Sequence, residues 1–142
     1  MIPKTKILLD TNVLIYLSQA ESEYKIKDLK LLHNSQLFIV DRSLLEFYRV
    51  FTGSLKQSIE DTLKVIEFYQ DNPNYNILTA TKFSNQLTFK LAKENKAKSG
   101  KIFDLDILAI AIENEIDIIY TKNVKDFAIN TSVKIIDPFI AN

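Results

Sequence analysis

A chain of 142 residues, 46% hydrophobic and 25% charged, has the length of one domain and enough apolar material to bury a core. Its 18 basic and 18 acidic residues cancel, so no global charge argues for nucleic acid, and any polyanion contact must come from local patches. The absence of Cys excludes disulfides, thiolate zinc sites and cysteine nucleophiles, while 2 Gly and 3 Pro leave no linker or low-complexity tract.

In chain order, Lys6 to Leu9 is a short apolar strand that ends at Asp10. Val13 to Leu17 continues as a helix, with Asp10, Thr11 or Asn12 as its cap. Glu23 to His33 reads as a second helix, and Gln36 to Val40 as a strand. From Ser43 to Leu55, the residues Leu44, Phe47, Tyr48, Phe51 and Leu55 recur at helical spacing. Gln57 to Gln70 repeats that pattern, before the turn Asp71-Asn72-Pro73-Asn74 and a short strand, Tyr75 to Leu78. Thr81 to Lys96 is a helix. Asp104 to Glu115 is another, so apolar from Ile107 to Ile112 that it must be buried on most sides. Asp117 to Tyr120 and Val133 to Ile136 are the last strands. Short apolar strands alternating with helices predict an α/β fold of three layers, αβα, around a central, mainly parallel sheet.

No apolar run is long enough to span a bilayer, and Met1-Ile2-Pro3-Lys4 lacks the apolar stretch of a signal peptide. The expected setting is the cytoplasm, with no membrane contact.

In open parallel sheets ligands bind at the carboxyl ends of the strands. Asp10 follows the first strand, Glu46 lies six residues past Val40, and Asp104 opens the buried helix. Thr121, Lys122, Asn123 and Asp126 follow Tyr120. Carboxylates gathered in a cleft repel one another, and a divalent cation resolves that cost. Oxygen ligands without Cys or a suitable His select Mg²⁺ or Mn²⁺ over Zn²⁺. Each residue also has a plainer reading. Asp10 and Asp104 serve as helix caps, Glu46 pairs with Arg42 or Arg49, and Asp126 caps a turn. Asp106 is two residues from Asp104, about 200° around a helix, so only one of them can face an ion. Asp104 is the choice, with Asp106 exposed or paired. Asp41 stands beside Glu46 either to orient it or to cap its helix. His33 reads as a surface residue, and no Ser/His/Asp triad can be built on it.

These residues carry a family signature. Leu8-Leu9-Asp10-Thr11-Asn12-Val13-Leu14-Ile15 resembles the opening motif of PIN-domain proteins. Asp41-Arg42-Ser43-Leu44-Leu45-Glu46 resembles the second motif, with Asp41 where the family usually has Ser. Phe103-Asp104-Leu105-Asp106-Ile107-Leu108-Ala109-Ile110-Ala111 resembles the third. Tyr120-Thr121-Lys122-Asn123-Val124-Lys125-Asp126-Phe127 and the closing Val133-Lys134-Ile135-Ile136-Asp137-Pro138 are similar to the end of the domain. The resemblance covers essentially the whole chain. It implies a PIN-like fold in a single domain, residues 1–142, and a metal-dependent endoribonuclease, most often the toxin of a VapBC-type pair. Partners implied are an RNA substrate, a cognate antitoxin and a second copy of the chain, the last through the aromatic-rich helices between Leu44 and Tyr69.

By motif position, Asp10, Glu46 and Asp104 would be the catalytic carboxylates and, with Asp126, hold Mg²⁺ or Mn²⁺. Asn12, Thr121 and Asn123 would orient them. Asn123 stands where many members have Asp, which lowers the negative charge and favours one ion over two. An ion there would activate water for in-line attack on a phosphate, and Glu46 or Asp104 would take its proton. Lys90, Lys93, Lys96, Lys98 and Lys101 precede Asp104, with Glu94 the only acid among them. Lys96, Lys98 and Lys101 are the candidates for RNA phosphates, against a plain solvated helix face. The aromatics are expected mostly in the core. Two other functions compete. One is a phospho-acceptor signalling domain that uses Lys122; the other is a catalytically idle binding module, for which Asn123 is the main support.

Overall fold

The computed structural model describes residues 3–19, 24–129 and 131–140. Five strands form one parallel sheet: β1 (Lys6–Leu9), β2 (Gln36–Val40), β3 (Tyr75–Leu78), β4 (Ile118–Tyr120) and β5 (Lys134–Ile136). Their spatial order is β3-β2-β1-β4-β5. The chain builds outward from β1 to β3, then crosses back to the other side of β1 and builds outward again. The direction of winding therefore reverses between β1 and β4, and that is where an open parallel sheet leaves a crevice at its carboxyl edge.

The period-two geometry of the strands sorts the core. Ile7, Leu9, Leu37 and Ile39 face one side, where they pack with Val13, Leu14, Leu44, Phe47, Phe51, Ile66 and Tyr69. Leu8, Phe38, Val40 and Ile119 face the other, packed with Leu105, Leu108, Ile110 and Ala111. The first set of partners belongs to α1 (Thr11–Leu17), α3 (Asp41–Thr52) and α4 (Ile59–Asp71); the second to α6 (Lys101–Glu113), which pairs with α5 (Lys82–Glu94). Helices thus cover both faces, as the continuous apolar strands require. Ile7, Leu8 and Leu9 are completely buried, because β1 is the central strand.

Three expected elements differ. The second helix, α2, is only Leu29–His33, and Glu23 lies outside the described residues. The backbone before it is claimed by the C-terminal segment. Ile26 bridges Phe139 in antiparallel fashion, Lys27 N–H donates to the Pro138 carbonyl, and Ile140 N–H donates to that of Lys25. Asp28 then caps α2 by accepting from Leu31 N–H. Next, α3 stops at Thr52 rather than Leu55: the chain turns out of the helix at Gly53, a position where a Cβ would lie 2.6 Å from the Arg49 carbonyl oxygen and only glycine fits. Finally, α6 begins one turn before Asp104, at Lys101, through i→i+3 bonds from the carbonyls of Lys98, Ser99 and Gly100. A short 3₁₀ turn, Val124–Phe127, follows β4. Among the described residues no helix is long and apolar enough to cross a membrane.

Candidate metal centre

Asp10 sits at the end of β1, in the crevice between β1 and β4. Its backbone N–H donates to the Tyr120 carbonyl, so the ladder holds it in place. The capping reading of this residue holds. One oxygen, Oδ1, accepts from Thr11 N–H at 2.8 Å and caps α1. The other, Oδ2, accepts from the Thr121 hydroxyl at 2.8 Å and more weakly from the Asn12 amide at 3.5 Å. The residue is only 9% exposed. Burial pushes its carboxyl above the usual range against those hydrogen bonds, and Glu46 and Asp126 push it further.

Thr121 and Asn12 form one small network around Asp10. The Asn12 amide also reaches the Thr121 hydroxyl at 3.4 Å, and its Oδ1 accepts from Lys122 N–H at 3.1 Å. Asn123 N–H in turn donates to the Thr121 hydroxyl oxygen at 3.1 Å. The end of β4 and the start of α1 are thereby cross-linked around one carboxylate. Asn123 contributes its backbone here, and it caps the 3₁₀ turn that carries Asp126. Sequence reasoning misses Thr11, whose hydroxyl donates to Glu46 Oε2 at 3.2 Å. Thr11 therefore touches two of the carboxylates, and its place between Asp10 and Asn12 in the opening motif was the available signal.

Glu46 projects from the first half of α3, half-exposed, with Arg49 3.8 Å away. Of its two expected arginine partners, Arg42 has gone elsewhere, to Asp106 at 2.7 Å. Asp104 and Asp106 diverge around α6 as their spacing requires. Asp106 is buried and paired with Arg42, tying α6 to α3. Asp104 stands within range of the other carboxylates. Its carboxyl is pushed up to about 6 by burial first, then by Asp126, against nearby Lys101, with smaller upward contributions from Asp10 and Glu46.

Four elements thus deliver Asp10, Glu46, Asp104 and Asp126 to one edge of the sheet. Among the described residues no three acidic or histidine side chains close onto a single point as an ion-holding group. The four carboxylates stand apart, within reach of one another's charge. The donor set is oxygen only, the chemistry that suits a hard divalent cation. No buried side-chain polar atom among the described residues lacks a hydrogen-bond partner.

The raised Asp104 has a consequence for stability. Its folded pKa lies above the ordinary 3.8, so the fold favours its protonated form. That contribution is complete below about 4 and is lost as pH rises through about 6. Without added cations, Asp104→Asn should match wild type below about pH 4 and become the more stable of the two above about pH 6. Chemical denaturation across that range measures the gap; a gap that stays constant with pH would refute the coupling.

The other candidates fall elsewhere. Lys96 and Lys98 are exposed in the loop between α5 and α6. Lys101 is the first residue of α6 and donates to the Asp126 carbonyl, so it braces the acidic site. Lys90 pairs with Glu94 at 3.9 Å. Lys122, the lysine a phospho-acceptor site would need, is bound to Asp137 at 3.1 Å and lies 4.7 Å from the Tyr24 ring centroid. His33 is exposed at the end of α2. Of the aromatic face between Leu44 and Tyr69, Phe47, Phe51 and Tyr69 turn into the core. What remains outside is Leu45, Ile59, Leu63 and Phe68. Phe83, Phe89 and Phe103 are also exposed, so the core does not take all the aromatics.

The PIN domain family model matches residues 7–129. Among solved structures, VapBC-1 from nontypeable Haemophilus influenzae superposes with a TM-score of 0.68 at 25% identity, covering 94% of this chain and 98% of that one. A toxin-antitoxin complex from Klebsiella pneumoniae gives 0.64 at 23% identity, over 93% and 97%. VapC20 from Mycobacterium tuberculosis, described as a sarcin-ricin loop cleaving toxin, gives 0.64 at 12% identity, over 90% and 98%. No curated protein matches the sequence.

Proposed function

The chain belongs to the PIN domain family, and from that premise we propose that it is a Mg²⁺- or Mn²⁺-dependent endoribonuclease, the toxin of a two-component toxin–antitoxin pair. One observation carries the reading: Asp10, Glu46, Asp104 and Asp126 arrive from four elements at the crevice between β1 and β4, where burial first, and then one another's charge, raises the carboxyls of Asp10 and Asp104. Repulsion of this kind costs stability and is retained where a cation is to be bound. The solved relatives described as toxin–antitoxin complexes support a cognate antitoxin as partner. A homodimer and a cytoplasmic setting belong to the same proposal.

Asp10, Glu46 and Asp104 would hold the ion, with Asp126 as the fourth oxygen donor. Asp126 is exposed and Glu46 is half-exposed, held by Thr11 and Arg49, while Asp10 is fixed by Thr11 and Thr121. When bound, the cation supplies Lewis acidity, which activates water and offsets charge on the attacked phosphate. The protein's own share is positional. Thr121 and Asn12 keep Asp10 Oδ2 directed at the crevice, Thr11 sets the separation of Asp10 and Glu46, and Asp106 takes Arg42 away from the cluster. Glu46 or Asp104 would accept the proton of the attacking water.

Incubation of the chain with total bacterial RNA tests the reading. Discrete cleavage products should form with Mg²⁺ or Mn²⁺, vanish with a chelator and return when the metal is restored. Undiminished cleavage in the chelator would rule out the metal; metal binding without any cleavage would favour the idle module.

A further inference from the structure

The chain contains two arginines, Arg42 and Arg49, and both line a groove of about 400 Å³ between α3 and α6. Its walls include Leu45 and Phe103, which stand 73% and 60% exposed. Large apolar side chains left so open on a structure with a full core call for an occupant. Glu46 lines the groove as well, so it opens onto the carboxylate cluster.

We propose that this groove is a nucleotide subsite, seating one unpaired RNA base beside the phosphate that is cut. The inference rests on the ribonuclease reading. The base lies against Phe103 and Leu45, and the backbone phosphate meets Arg49 and Arg42. Arg42 is anchored through one nitrogen to the buried Asp106, and the rest of its half-exposed guanidinium keeps further N–H donors. Among the described residues Arg49 is held only by Glu46 at 3.8 Å, an exposed and weak pair. Once Glu46 serves the cation, Arg49 is released toward the groove. Planar guanidinium groups match phosphate oxygens in pairs, and the groove's continuity with the carboxylate cluster at Glu46 sets that pairing beside the phosphate to be cut. Stacking on Phe103 needs an open base face, so the subsite selects loops and single strands over duplex, with little preference for base identity.

The test uses Phe103→Ala, Arg49→Ala and Phe103→Tyr, all at exposed side chains whose loss leaves the core intact. Binding is read by anisotropy of a fluorescein-labelled, randomised single-stranded oligoribonucleotide with Ca²⁺ replacing Mg²⁺. KM and kcat are read on total tRNA with Mg²⁺. Phe103→Ala should weaken binding by roughly tenfold or more and raise KM, with kcat little changed, and Phe103→Tyr should restore both. Arg49→Ala should weaken binding and lower the slope of log affinity against log salt by about one, which Phe103→Ala should not do. Wild-type binding and KM in both alanine variants, measured beside an active wild type, overturn the subsite and leave the ribonuclease standing. A wild-type chain that neither binds nor cuts RNA overturns both readings. Variants that keep RNA affinity but lose a protein partner assign the groove to a peptide and also overturn the subsite.

Discussion

Asp10→Asn should lower metal-dependent RNA cleavage by more than about a hundredfold, the loss expected for a ligand when even its supporting groups are worth tenfold to a hundredfold. The substitution keeps the shape of the side chain and its capping role, since Asn caps a helix as well as Asp. Thr11 N–H retains the amide oxygen as acceptor, while the amide nitrogen at the second position donates to the Thr121 hydroxyl oxygen in place of accepting from it. What disappears is a charge that burial, Glu46 and Asp126 all disfavour. In the absence of divalent cations the variant should therefore unfold at a higher temperature than wild type at pH 7 while being inactive. Cleavage assays with Mg²⁺, beside thermal unfolding in chelator, measure the two effects on one preparation. A variant that still cuts at the wild-type rate would remove Asp10 from the chemistry. An inactive variant that is also less stable would mean that the Asp10 charge supports the fold.

The second large effect is on the scaffold. Phe47→Ala should cost about 3–5 kcal/mol, the range for emptying a fully buried aromatic position. Phe47 is completely buried, stacked on Phe51 at 4.2 Å between ring centroids and edge-on to Tyr69 at 6.2 Å. It therefore joins α3 to α4 over the β1–β2 face of the sheet. For a chain of this size the loss corresponds to roughly ten degrees in Tm. Glu46 precedes Phe47 on the same helix, so a loosened α3 also frees one wall of the carboxylate cluster. Calorimetry measures the stability. Leu45→Ala, one turn short of Glu46's partner Arg49 and 73% exposed, is the control expected to leave Tm within a fraction of that shift. Equal losses at the two positions would contradict the core assignment.

Asp10 is the residue proposed for the chemistry and Phe47 belongs to the scaffold, and local patterns in the chain disclose both positions. Alternation of Ile7-Leu8-Leu9 and Leu37-Phe38-Ile39-Val40 with helical periodicity specified a parallel αβα sandwich, because strands apolar on both faces need cover on both. The strand-end rule then brought Asp10, Glu46, Asp104 and Asp126 to one edge from chain order alone. The 200° between Asp104 and Asp106 correctly sent them in different directions, since helical geometry is local and needs no partner.

Tertiary contacts decided the remainder. Residues 24–28 looked helical alone, but the C-terminal segment takes up the backbone groups of Lys25 and Lys27, and α2 is cut to Leu29–His33. Lys101 looked like one more free lysine until α6 began at it and placed its ammonium on the Asp126 carbonyl. Arg42 looked like a partner for Glu46 four residues away, yet the buried Asp106, 64 residues on, holds it instead. A buried carboxylate needs its counter-charge more than an exposed one does, and burial is a property of the assembled fold. By itself, then, the sequence determined the sheet, its covering helices and the edge at which the carboxylates meet. Only the folded chain decided which charges are paired away and which are left facing one another in the crevice between β1 and β4.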